Sequence, residues 1–163
     1  MFRCYFYGIG ILFGLLLASF SGNAVSEKVE KLQTVTDLES LGEQANERSL
    51  VILIMFSAED CPFCELMEHS YLLPLQRNKA AREKVIIRKV MIDSYGSLKD
   101  FGGKRISAED FPAKYGASVT PTLVFLNGDG QQVAEKLIGV GTEGLFAEEI
   151  EKAIEKGILQ LDW

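Results

Sequence analysis

Cys61 and Cys64, separated only by Pro62 and Phe63, are the side chains in this sequence best placed to do chemistry together. A thiolate is both a nucleophile and a metal ligand, and two sulfurs one helical turn apart can close a short disulfide with little backbone movement. Pro62 is tolerated in a helix's first turn, where its missing N–H would be unpaired anyway, so the pair is expected at a helix N-terminus. The unpaired N–H groups and partial positive charge there stabilise a thiolate. Cys61, nearer the terminus and the solvent, is therefore expected to attack. Cys64, one turn deeper, is expected to be the resolving thiol that releases a mixed disulfide. A disulfide that never turns over is the plain alternative, although a loop enclosing two residues would constrain the unfolded chain little.

Metal binding is the rival chemistry. Cys61, Cys64, Met67 and His69 fall within nine residues and offer soft donors suited to Cu(I), so a copper-binding metallochaperone is the alternative function. However, one Cys-x-x-Cys supplies only half of a tetrahedral thiolate site, and there is no second. With one histidine in the chain, sites built from two or three imidazoles are excluded. On a helix, His69 is expected to point away from both sulfurs and lie at the surface, with Met67 in the core. Glu65 stands where haem attachment would need a histidine. No metal or other cofactor is expected.

The rest of the composition narrows the setting. The chain has 163 residues, 47% of them hydrophobic and 25% charged, which fits one globular domain. A net charge of −6 argues against a nucleic-acid binder, which needs a basic face for phosphates. Residues 1–24 carry Arg3 as their one charged side chain, and the apolar run from Gly8 to Phe20 is followed by Ser21-Gly22-Asn23-Ala24. That is the pattern of a signal peptide cleaved near Ala24. A retained N-terminal anchor is the alternative, since Met1 to Ala18 is long enough to just span a bilayer. Either way the domain, residues 25–163, is expected outside the cytosol, in the periplasm or otherwise exported. Cleavage would discard Cys4 and leave Cys61 and Cys64 alone.

Periodicity supplies the elements that must position the pair. Thr36-Asp37-Leu38-Glu39 fits a capping box before a helix burying Leu38, Leu41 and Ala45. Leu50 to Phe56 is a continuous apolar run, as expected of a central strand buried on both faces. Cys61-Pro62 opens the next helix, with Leu66, Met67, Tyr71 and Leu75 on its apolar side and Pro74 expected to kink or end it. Val85 to Ile92 reads as a strand parallel to the first. Residues 94–106 read as a glycine-rich loop carrying Tyr95, Lys99, Phe101, Lys104 and Arg105, a candidate for selecting partners. A short helix from Ser107 to Tyr115 follows. Leu123 to Leu126, the turn Asn127-Gly128-Asp129-Gly130 and Val133 to Ile138 form a hairpin. Thr142 to Lys156 is an amphipathic helix with Leu145, Phe146, Ile150, Ala153 and Ile154 apolar. The order implies an α/β fold, a central mixed β-sheet flanked by helices.

The stretches ILIMFSAEDCPFC, KVMID and YGASVTPTLVFLNGDG resemble the thioredoxin superfamily over roughly residues 48–157, with exported SoxW-type periplasmic thioredoxin-like proteins the nearest in pattern. The resemblance implies a thioredoxin-like fold and a protein-disulfide oxidoreductase of the cell envelope. Such an enzyme reduces or exchanges disulfides in exported client proteins, draws electrons from a membrane donor of the DsbD or CcdA type, and is expected to be a monomer. It places a cis-proline at Pro121, facing the dithiol, with Thr120 and Pro121 offering backbone to a client strand. Phe63 is expected to be exposed beside Cys61 and to contact clients. Three positions depart from the cytosolic pattern: Met55 replaces a buried aspartate beneath the disulfide, and Ser57 and Asp60 replace two tryptophans. A proton acceptor for Cys64 must then come from elsewhere, with water or Glu59 as candidates. Lys89, matching the lysine that faces that aspartate, is expected either nearer the thiols or snorkelling to the surface.

Overall fold

Seven consecutive buried residues, Val51–Ser57, form strand β1 at the centre of a four-stranded sheet. A computed structural model describes residues 31–142 and 144–161 of the chain. The expected signal peptide over residues 1–24, with Cys4, lies outside them. β1 pairs in parallel with β2 (Val85–Met91) and antiparallel with β5 (Thr122–Leu126), which pairs with β6 (Gln132–Ile138). The sheet order is β2-β1-β5-β6, the mixed sheet that the alternation of elements implies.

Because successive side chains alternate across a strand, β1 feeds two cores. Val51, Leu53 and Met55 face one layer with Met67, Leu72, Phe146 and Ile150. Ile52, Ile54 and Phe56 face the other with Leu38, Leu41, Phe111 and Tyr115. The first layer holds α2 (Pro62–Met67), a π turn (Glu68–Leu72), α3 (Leu73–Arg77) and α5 (Phe146–Ile158). A short α4 (Lys79–Arg82) leads into β2. The second layer holds α1 (Leu38–Arg48) and a 3-10 turn, Phe111–Tyr115. Burial raises the Tyr115 phenol well above its ordinary range, helped by the negative charge of Asp100, and its hydroxyl donates to the Gly130 carbonyl at 3.0 Å.

Several expectations change in detail. The cap of α1 is Asp37, whose Oδ1 accepts the Ser40 N–H at 2.9 Å, one residue later than the Thr36 box. A carboxylate accepts more readily than a hydroxyl, and residues 34 and 37 are already held in extended bridges to Lys89 and Lys99. Pro74 does not end its helix. The π turn before it absorbs the fault: the Leu73 N–H reaches back to the Glu68 carbonyl, and the wider turn makes room for a ring without a donor.

Residues 94–106 are not an open loop. β3 (Ser97–Lys99) and β4 (Arg105–Ser107) form an antiparallel hairpin, its turn built by Asp100 Oδ1 accepting the Gly102 and Lys104 N–H groups at 3.0 and 2.8 Å. Leu98 fastens it to the second core, and Lys99 pairs with Glu39. The helix expected from Ser107 is only the 3-10 turn, because Pro112 leaves little regular ladder. Likewise α5 begins at Phe146, and Leu145, expected on its apolar face, is exposed before the first turn.

One close approach ties α1 to the β5–β6 hairpin. A Cβ on Gly42 would run into the Gly128 carbonyl, and one on Gly128 would run into the Asn46 side chain. On an open helix face Gly→Ala stabilises by about 1 kcal/mol. Here backbone meets backbone, and overpacking of that kind costs about 1–3 kcal/mol. Gly42→Ala is expected to lower the urea midpoint; a raised midpoint would show that the contact yields.

Candidate active site

β1 ends at Ser57, and Ala58-Glu59-Asp60 carries the chain over the sheet edge to Cys61. Asp60 adopts a left-handed backbone, φ 49°, a conformation that aspartate tolerates better than most residues. The Glu59 N–H donates to Asp93 Oδ2 at 2.6 Å, tying this loop to the one after β2. Cys61 is then the N-cap of α2, with Pro62 as the first helical residue. Its Sγ accepts the Cys64 N–H at 3.2 Å, so the sulfur occupies the place of a capping oxygen.

Cys61 and Cys64 are joined in a disulfide, their Cα atoms 5.2 Å apart. The two sulfurs differ in access. Cys64 is 3% exposed, while Cys61 is only partly buried and faces the loop before β5. There its Sγ lies 3.6 Å from Thr120 Oγ1. The Thr120–Pro121 bond is cis, and the Pro121 carbonyl accepts the Gly139 N–H at 2.8 Å. Phe63, in the first turn of α2, is 64% exposed. Leu66, two residues after Cys64, and Val119, which precedes Thr120, are also exposed. Leu66 was expected on the buried side; the buried stripe of this helix is instead Cys64, Met67 and Glu68, which leaves Leu66 turned outward.

The structure thus brings together Cys61, Cys64, Thr120 and, on the adjoining surface, Phe63. It divides the donors of the copper reading. Met67 is wholly buried in the first core. His69 is exposed but lines the same cleft as both cysteines. Among the described residues no group of three or more His, Cys, Asp or Glu could hold a metal ion.

Glu68 is the residue that sequence reasoning missed. It is 6% exposed, one turn beyond Cys64, and its N–H donates to the Cys64 carbonyl. Oε1 accepts the Leu32 N–H at 2.6 Å, and Oε2 meets Lys89 Nζ at 2.8 Å. Lys89 therefore neither approaches the sulfurs alone nor snorkels away. Met55, its register neighbour on β1, offers no charge, and the carboxylate comes from the helix instead. Glu59, expected as a proton acceptor, is exposed. The available signal was an acid four residues after Cys64 combined with a lysine inside an apolar strand.

Comparison with known proteins agrees with this fold. The Thioredoxin-like domain family matches residues 39–155. Thioredoxin O2 from Arabidopsis thaliana, in its oxidised state, is similar at 22% identity and a TM-score of 0.50, covering 76% of this chain and 91% of that one. The thioredoxin of Fasciola hepatica is similar at 20% identity and a TM-score of 0.50, covering 77% and 99%. At such identities the likeness concerns the fold. No curated protein sequence matches the chain. With the family match spanning most of its length, this chain belongs to the thioredoxin-like domain family.

Proposed function

We propose that this chain is a thiol–disulfide oxidoreductase acting on exported client proteins, through Cys61 and Cys64. The observation that carries the reading is the difference in depth between two bonded sulfurs at one helix terminus. In the reducing direction, the Cys61 thiolate attacks a client disulfide, forming a mixed disulfide and expelling one client thiolate. Cys64 then gives up its proton and attacks Cys61 Sγ. The Cys61–Cys64 bond forms, the mixed disulfide breaks, and the second client sulfur leaves as a thiolate that takes a proton from solvent. The client gains two electrons and the protein loses two.

Thr120, with Pro121 next in the chain, borders Cys61 on one side and Phe63 stands exposed on another, a surface suited to an extended client segment. The apolar N-terminal run supports work in the cell envelope, with reducing electrons from a DsbD- or CcdA-type membrane donor, as the SoxW-type resemblance implies. The hairpin over residues 97–107 is a candidate for partner choice.

Insulin reduction in dithiothreitol tests the activity. Cys61→Ser is expected to fall to the uncatalysed rate, and Cys64→Ser to accumulate mixed disulfides with clients. Wild-type turnover by Cys61→Ser would overturn the assignment. Phe63→Ala is expected to slow protein disulfides roughly fivefold, about 1 kcal/mol of contact, while leaving a small aromatic disulfide reacting at the wild-type rate. Equal loss on both substrates would mean that Phe63 supports the helix rather than the client.

A further inference from the structure

Beside the disulfide lies a cleft of about 200 Å³ lined by Cys61, Cys64 and the Glu68–Lys89 pair, among others. It is roomy enough for more than one water, and its walls are polar enough to hold them. Lys31, Glu59, Asp60, Glu65 and His69 also line it, all of them exposed. Of its titratable oxygen and nitrogen groups, only Glu68 and Lys89 are withdrawn from bulk solvent.

Resolving a mixed disulfide sets a problem at this spot. Cys64 is buried, and its thiol is a poor nucleophile until the proton leaves. A buried thiolate without a nearby acceptor is costly to form. We infer that Glu68 is the acceptor for the Cys64 proton in the resolving step, reached through water in this cleft and held in place by Lys89 and the Leu32 N–H. Glu68 follows Cys64 by one turn on the same helix face, and both its oxygens are fixed by partners from other elements. Lys89 is itself locked by its backbone, which bonds to Gln33 and Val35 at 3.0 and 2.9 Å. As the proton passes from Cys64 to Glu68, the sulfur's electron pair forms the bond to Cys61 and the client sulfur leaves with the pair of the broken bond. Glu68 returns the proton to solvent through the cleft.

The inference rests on the oxidoreductase reading, and the test separates the two. Reduced protein is mixed with 5,5′-dithiobis(2-nitrobenzoate) between pH 6 and 9. The first thionitrobenzoate released reports attack by Cys61, and the second reports resolution by Cys64. In wild type the second release is expected to be already fast at pH 7. In Glu68→Gln it is expected to be about tenfold slower at pH 7 and to converge on wild type near pH 9, where hydroxide suffices, with the first release unchanged. His69→Asn, altering an exposed titratable group of the same cleft, is expected to keep the wild-type profile.

If Glu68→Gln strands Lys89 without an anion and fails to fold, Glu68→Gln/Lys89→Met removes both charges and is measured in the same way. An unchanged profile in whichever variant folds, or one slowed equally at every pH, would overturn the role of Glu68, as would loss of the fast phase in His69→Asn. A wild-type chain that gives no second release would overturn the oxidoreductase reading and this inference with it.

Discussion

The Cys64 N–H that points at Cys61 Sγ is the contact on which the site depends. A helix leaves its first N–H groups without the usual partners, and here the Cys64 N–H is shared between the Cys61 sulfur at 3.2 Å and the Cys61 carbonyl at 3.0 Å. That arrangement fixes the depth of both cysteines at once. The cap residue stays at the rim, and the residue three further on turns beneath it. The residues just before Cys61 deliver it there: a central strand buried on both faces and a short turn pinned through Asp93.

Much of this was legible because the residues concerned obey local rules. The run from Val51 to Phe56 has no polar interruption, so a doubly buried strand was its natural reading. Pro62 announces a helix start, and Asn127-Gly128-Asp129-Gly130 announces the β5–β6 turn. The misreadings arise where long-range pairing decides. Residues 94–106 looked like a loop because each half holds only three strand residues; pairing and the anchoring of Leu98 make them a hairpin. Asp37 displaced Thr36 as the cap because the preceding segment was already bound to the sheet edge. Pro74 was tolerated because a π turn took up the missing hydrogen bond.

Glu68 shows why a charge inside an apolar stripe is hard to read from one chain. Taken alone it breaks the pattern of Cys64, Met67 and Leu72, and looks like solvent-facing punctuation. Its partners lie 21 and 36 residues away, at Lys89 and Leu32. Burying a carboxylate and an ammonium is sustainable when each meets the other and further hydrogen bonds help, as the Leu32 N–H does here. Met55, the register neighbour of Lys89, carries no charge, and the ionisable pair lining the cleft takes its acid from the helix and its base from β2.

The central claim is that the Cys61–Cys64 bond is a working redox couple and not a staple. Equilibrating the protein in dithiothreitol buffers, with alkylation to count free thiols and circular dichroism to follow the fold, tests that most directly. A reversible two-electron transition is expected, changing tenfold in ratio for each 30 mV or so, with both states equally folded. A bond that yields only when the chain unfolds, or that does not re-form on reoxidation, would contradict the account.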